Sequence, residues 1–424
     1  MRGGCFGQNA RVTGGERVTY RSVLANREFA AILFSQTLSI LGDQITRIAL
    51  AALVYQQTGS AFAASATFAV SYLTYLVAGP FLAALSDRHD RRTVMVVSDL
   101  GRAGAVAVLA LTDLPLIGTF TLLIGLSALA PAFDSARGAT LPDILSGEAY
   151  PRGSALANVF FQAAQVGGFV AGGALLATVG AHTALLLDAA TFLVSAGAVL
   201  GCLLERARPA PPEHPSLIRE TKEGVQVVWR HPELRQLLAY ALLGAVAVSA
   251  PESLALPVSK AAGGGTFEAG LLTASLPAGF VLASLFILRL PADKRSEMLP
   301  RLVVISALPL MATPFLHNVP AILVLWTLSG LGSALQLVAS AAYVQAAPEA
   351  IRARAYGLAS TSLIAAQGVA QLGAGVTSTL FNDRSGPGIG IAVLAGLSLA
   401  LLPSVARLDS AKNMQPQGIG ADGR

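Results

Sequence analysis

Three carboxylates, Asp43, Asp188 and Glu252, stand inside long apolar stretches of this chain, where an acid side chain is suited to carrying a proton. A charge within hydrocarbon is costly enough to mark function by default, and a carboxyl group is the side chain that can bind and release a proton there. Asp43 lies about 15 residues into its stretch, roughly 22 Å at 1.5 Å per residue and close to a bilayer midplane. Arg47 follows one turn later, so an intrahelical ion pair that only neutralises both stands beside the proton-carrier reading. Glu252, next to Pro251, is at a broadly comparable depth in the second half of the chain, and Asp188 is in the outer third of its stretch. Asp99 and Arg102, three residues apart, read as a structural pair. Enzymatic signatures do not occur: there is no His-Glu-x-x-His zinc pair, no Gly-x-Ser-x-Gly elbow and no Gly-Lys-Ser/Thr phosphate loop. Cys5 and Cys202 are far apart and the five histidines are scattered, so no catalytic residue, metal or cofactor is expected.

Amides form the second group. Gln36, Gln44, Gln162, Gln165, Gln367 and Gln371 all fall within apolar stretches. Hydrogen bonds between helices account for part of such a set, and the remainder are candidates for lining a cavity. An amide-rich but otherwise apolar cavity suits a bulky amphiphile better than a sugar.

The elements that hold these residues follow from composition. Of 424 residues, 54% are hydrophobic and 12% charged, and the mean hydropathy is +0.62, values of a membrane protein rather than a soluble domain. A hydrocarbon core takes about 20 helical residues to cross, and twelve segments qualify: 29–55, 61–86, 93–112, 115–134, 153–179, 183–204, 234–259, 267–290, 300–317, 320–346, 355–381 and 387–406. Each is continuously apolar, whereas barrel strands alternate, so helices are predicted. All but four of the 29 Lys and Arg residues lie in the two tails or in every second gap, the exceptions being Arg47, Arg102, Lys260 and Arg384. The positive-inside rule then places both termini in the cytoplasm. The isoelectric point near 9.4 is explained by this topology, and nucleic-acid binding is not expected. The first apolar span is expected to act as its own insertion signal.

The organisation expected is a tail (1–28), a six-helix bundle (29–204), a linker (205–233), a second six-helix bundle (234–406) and a C-terminal tail (407–424). Pro209, Pro211, Pro212 and Pro215 mark the linker. After them Ile218, Thr221, Val225 and Val228 recur at spacings of three and four, opposite Arg219, Glu220, Glu223 and Arg230, as in a surface amphipathic helix. Self-similarity supports duplication of the halves: Ala163-Ala164-Gln165 falls on Ala365-Ala366-Gln367, and Asp87-Arg88 on Asp293-Lys294 at a similar offset.

The gap between the second and third spans reads Ser86-Asp87-Arg88-His89-Asp90-Arg91-Arg92 and resembles the signature of the major facilitator superfamily, with Ala83 where that family usually has Gly. Together with Leu41-Gly42-Asp43 and Val228-Trp229-Arg230-His231-Pro232, the text is most similar to the branch of macrolide-efflux and siderophore-export carriers. That resemblance implies an all-α fold of twelve transmembrane helices in two pseudo-symmetric bundles. It also implies a cytoplasmic latch of Asp87, Arg88, Arg91, Arg92 and Asp134, in which Asp87 faces the N-terminus of span eleven and Arg91 reaches Asp134. The same arginines also anchor topology. Span five, with Gly167, Gly168, Gly172 and Gly173, resembles a glycine motif of the family's antiporters, with Phe169 in place of its Pro. Close helix packing explains these glycines by itself. Span four, ended at residue 134, has no Arg or Lys in its membrane portion, although many of the family's proton-coupled drug exporters carry one. The function implied is export of an amphiphilic small molecule by alternating access, driven by the proton gradient, from a monomer in the cell membrane. An importer or uniporter of a small metabolite is the alternative.

Overall fold

The computed structural model describes residues 19–86, 89–206, 225–226, 228–287, 289–349, 352–381 and 385–410. Regular structure among them is entirely helical: α1 (Tyr20–Leu24), α2 (Arg27–Thr58), α3 (Ala61–Ser86), α4 (Arg91–Leu111), α5 (Leu116–Ile144), α6 (Ala149–Thr178) and α7 (Gly180–Cys202), followed by α8 (Pro232–Ala261), α9 (Thr266–Ile287), α10 (Ala292–Glu297), α11 (Leu299–Ala307), α12 (Val319–Gly332), α13 (Leu335–Ala346), α14 (Arg352–Leu380) and α15 (Gly386–Ser410). Among the described residues ten helices are long and apolar enough to cross a membrane, α12 and α13 counting together as one. The other two expected spans also have counterparts. Span nine is α11 continued by the 3₁₀ segment Pro309–Phe315, where Pro309 and Pro314 withhold backbone donors from an α-helix. Span eleven is α14, 29 residues long and more polar.

Local chemistry sets the ends. Asn26 Oδ1 accepts from the amides of Glu28 and Phe29, both at 3.1 Å, and so opens α2. Asp90 accepts from Thr93 N at 2.9 Å and caps α4. Gly180 has φ +80°, which lets the chain reverse directly from α6 into α7. The largest departure from the expected boundaries is α5, which continues ten residues beyond position 134 to Ile144. Asp134, Arg137 and Asp143 therefore all ride on that helix.

The chain divides into two compact units, Met1–Gln57 with Leu73–Pro212, and Thr58–Tyr72 with Glu213–Arg424. One division falls within the stretch 205–233, and another passes through the middle of α3. In the first unit α4 packs on α5 and α7, over a core that includes Phe29, Ile32, Met95, Phe133 and Val199. Gly168 and Gly172 of α6 meet the backbone of α2; a Cβ at Gly168 would lie 2.8 Å from Leu41 O, and one at Gly172 would lie 3.1 Å from Ile45 Cα. Packing is thus the role these glycines play. The second unit has one core around Leu234, Leu335 and Tyr343 and another around Trp326, whose Nε1 donates to Thr313 Oγ1 at 3.3 Å. Outward faces carry exposed apolar side chains such as Phe81, Leu111, Leu200 and Phe286, as surfaces in contact with lipid require. Asp87, Arg88 and the first part of the amphipathic linker helix, 218–224 with position 227, lie outside the described residues.

Candidate functional site

One stripe of α2 organises the polar interior of the first unit. Gln36, Ser39, Asp43 and Thr46 recur at spacings of three and four, so they share a helix face, and they meet three polar groups, Ser39 and Asp43 sharing one. Gln36 Oε1 accepts from Arg137 Nη1 at 3.2 Å. Ser39 Oγ accepts from Arg102 Nη1 at 2.9 Å, and Arg102 Nη2 pairs with Asp43 Oδ1. Thr46 Oγ1 donates to Asp188 Oδ2.

Arg102 is the centre of this arrangement. Its side chain is 4% exposed, against 28% for that of Asp43, and the guanidinium carbon lies 4.2 Å from the centre of the Phe192 ring, a cation–π contact. One turn earlier on α4, the fully buried Asp99 accepts from Ser195 Oγ, which also shares a hydrogen bond with Ser35 Oγ. Asp99 Oδ1 and Arg102 Nε have no hydrogen-bond partner among the described residues. Asp188 is likewise fully buried, and its Oδ1 accepts from Thr191 Oγ1 at 3.0 Å. Gly42 makes room for it: a Cβ there would collide with the Asp188 carboxylate and with Thr191.

Asp43 thus pairs with the guanidinium, Asp99 lies one turn from it on α4, and Asp188 is held through Thr46, one turn along α2 from Asp43. A guanidinium keeps its charge in a protein interior. Three ionised carboxylates around it would leave two uncompensated negative charges in a medium of low polarity, an expensive arrangement. Binding protons on two of the three balances the site. Thr46, Thr191 and Ser195 supply hydroxyl partners to the buried carboxyl groups. Among the described residues no group of His, Cys, Asp and Glu side chains converges as a metal site requires.

Several sequence expectations are revised by this geometry. Asp99 and Arg102 do not form the pair their spacing suggested, because α2 offers Arg102 a carboxylate and a hydroxyl while Ser195 engages Asp99. Asp43 finds its short ion pair on α4; Arg47 Nη1 donates to Gln44 Oε1 at 3.4 Å. Asp43 and Asp188 come together, and Glu252 belongs to the second unit, where it is half-buried and accepts from Tyr72 OH at 3.4 Å. Beside it, Ser65 Oγ bonds Ser253 Oγ at 2.8 Å and Gln371 O at 2.6 Å. Of the amides, Gln36 and Gln44 are buried and hydrogen-bonded on α2, while Gln162, Gln165 and Gln367 are half-buried. Gln371 is fully buried, and neither of its amide atoms has a partner among the described residues. Arg102, Asp99 and Arg137 were not read as site residues. The stripe 36, 39, 43, 46 was the available signal that α2 turns a polar face toward neighbours.

At the arginine-bearing end, Arg91 does not reach Asp134. Arg91 Nη1 donates to Asp143 Oδ2 at 2.5 Å and Ala139 O at 2.6 Å, because the extension of α5 carries a nearer carboxylate to that level. Asp134 instead accepts from Tyr75 OH at 3.3 Å and lies 3.6 Å from Arg137. The same extension carries Arg137 on the helix that continues span four, beyond the apolar stretch that ends at residue 134. Arg92 donates to Glu205 Oε1 at 2.9 Å and to Leu200 O. The ends of α4, α5 and α7 are tied together by these two arginines.

Comparison with known proteins agrees with this architecture. The family model described as Major Facilitator Superfamily matches residues 32–295. The chain is 29% identical to "Multidrug efflux pump Tap" of Mycolicibacterium fortuitum over 313 residues, 70% of this chain and 76% of that protein. It is 31% identical to "Macrolide efflux protein A" of Streptococcus pyogenes over 124 residues, 27% of this chain and 31% of that protein. Among solved structures, a crystal structure of the nucleoside transporter NupG is similar with a TM-score of 0.72 at 11% identity, covering 90% of this chain and 99% of that one, a likeness of fold.

Proposed function

The chain belongs to the Major Facilitator Superfamily and is a multi-pass membrane transporter, and from that premise we propose that it exports an amphiphilic small molecule, a drug-like compound or a siderophore, in exchange for protons. The observation that carries the reading is the ion pair of Arg102 with the half-buried Asp43, close to the fully buried Asp99 and Asp188. A proton arriving at Asp43 weakens its hold on Arg102, and the guanidinium then turns toward Asp99 or Asp188, one of which releases its proton and so keeps the site balanced. Because Asp43 is on α2, Arg102 and Asp99 on α4 and Asp188 on α7, a change in protonation alters how three helices are held together. That is the coupling alternating access needs: one site whose charge state biases two arrangements of the bundle.

The direction of transport is supported by the efflux proteins to which the chain is similar, and the amphiphilic substrate by interior polarity supplied mainly by amides and hydroxyls. Sorting of the arginines puts Arg91, Arg92 and both termini on the cytoplasmic side of the cell membrane. There the ties Arg91 to Asp143 and Arg92 to Glu205 act as the latch that must loosen as the protein cycles. The protein works as a monomer.

Everted membrane vesicles test the proposal. An acid-inside pH gradient should drive accumulation of macrolides, lipophilic dyes or siderophores into vesicles carrying the protein, and Asp188→Asn at equal abundance should abolish it. Accumulation that persists when the gradient is collapsed would exclude proton exchange. Gradient-driven movement in the opposite direction would instead establish the importer reading.

A further inference from the structure

Within the second unit, α8, α14 and α15 enclose a cleft of about 790 Å³. It is hollow because small residues line it: Ala239 on α8, and Ala366, Ala370 and Gly373 on α14. Small residues on membrane helices ordinarily permit close contact, whereas here they leave space. The mouth is formed by exposed apolar side chains, Val369 at 63%, Leu397 at 48% and Leu401 at 45%. The walls are almost wholly apolar; Ser398 lines the cleft, but its hydroxyl is engaged with Leu243 O and Leu394 O at 3.1 Å each. Along α15 the cleft runs from Leu394 to Val405, roughly 16 Å at 1.5 Å per residue. This is about the thickness of one hydrocarbon leaflet.

A cation is carried on α8 one turn before the first lining residue, Ala239. Gln236 Nε2 donates to Val405 O at 3.4 Å, so the first turn of α8 is level with that end. Arg235 lies one turn before Ala239, on the face shared by the lining residues Leu242 and Val246. No carboxylate pairs with Arg235 among the described residues; its Nη1 donates to Trp229 O at 3.5 Å, and its Nε is buried without a hydrogen-bond partner. The guanidinium is 5.7 Å from the ring centre of Trp229, which is 70% exposed, an aromatic of the kind found at the membrane–water boundary. An apolar slot one leaflet deep, with exposed apolar side chains at its mouth and, near one end, an arginine that pairs with no carboxylate among the described residues and lies beside a tryptophan, matches one occupant in length, polarity and charge.

We propose that this cleft is a binding site for a phospholipid with an anionic head group, its acyl chain along α8, α14 and α15 and its phosphate at Arg235. The phospholipid belongs to the leaflet on the Arg235 side. The site is separate from the charge cluster of the first unit and does not depend on what the protein transports.

Native mass spectrometry of the full chain tests this, with the purified protein exposed in detergent to equal amounts of 1-palmitoyl-2-oleoyl phosphatidylglycerol and phosphatidylcholine. The wild type should retain one tightly held lipid with about a fivefold preference for phosphatidylglycerol, the effect of one arginine near a head group. Arg235→Gln should keep the lipid and lose the preference. Ala366→Trp and, independently, Ala239→Phe fill the cleft and should lose that lipid while eluting as monodisperse protein. Retention of the same lipid by both monodisperse filled variants would overturn the site. Equal preference in the wild type and Arg235→Gln would overturn the assignment of the head group.

Discussion

Arg102 and Asp43 offer a test of whether the charge cluster is held together as its geometry implies. Truncating Arg102 to Met keeps an unbranched apolar chain against Phe192 but removes the guanidinium that compensates Asp43. Breaking one partner of a buried ion pair costs about 3–5 kcal/mol, and because the carboxylate left behind, Asp43, is 28% exposed, the lower end of that range applies. Asp43→Asn should cost less, about 1–3 kcal/mol, because the arginine keeps Ser39 and the Phe192 ring while losing a charge-assisted hydrogen bond. In the double variant neither uncompensated charge remains at that contact, so its destabilisation should fall short of the sum of the singles by about 1–3 kcal/mol. Reversible unfolding in mixed micelles titrated with dodecyl sulfate measures all three. Additivity within about 0.5 kcal/mol would mean that the two side chains are not energetically coupled, and the reasoning would fail. Transport adds a second reading: the double variant should be less destabilised than the sum of the singles yet remain unable to use a pH gradient, since one of its proton-binding carboxyl groups and its cation are both gone.

Other consequences are as direct. Asp188→Asn can keep hydrogen bonds to Thr46 and Thr191, so it should insert at normal abundance while gradient-driven accumulation in vesicles falls to background; wild-type transport in this variant would remove Asp188 from the mechanism. Gly168→Leu forces a side chain against Leu41 O and should destabilise by about 1–3 kcal/mol, whereas Gly167→Ala, whose Cβ meets nothing within 4 Å, should be close to neutral. Unfolding in mixed micelles separates the two, and equal effects would contradict the α2–α6 contact. Arg91→Gln and Asp143→Asn should each change stability by no more than about 1 kcal/mol, both partners being partly exposed, yet each should slow transport. The exchange Arg91→Asp with Asp143→Arg should restore it. Failure of the exchange to restore transport would leave these residues as topological anchors alone.

The helical class and the span positions were legible in the sequence, because transfer of a side chain between water and lipid is a local quantity that accumulates along one segment at a time. Asp43 and Asp188 were legible for the same reason: each is a local exception to apolar surroundings. Boundaries fared worse where polarity changes gradually, and α5, with Asp134, Arg137 and Asp143 on its last turns, shows how a helix can continue through charges when neighbours satisfy them. Partner choice lay beyond the sequence altogether. Arg47 and Asp99 are the near neighbours of Asp43 and Arg102 along their helices, yet the short ion pair joins Asp43 to Arg102, 59 positions away, and Asp188 accepts from Thr46 across 142 positions. Such contacts depend on how each helix is rotated about its axis and how closely α2 approaches α6 and α7. Gly42, Gly168 and Gly172 permit that approach, but packing over a few ångströms decides which face is presented. The same is true of the cleft beside Arg235: its small residues are visible in the chain, but only the tertiary structure shows that they leave a hollow.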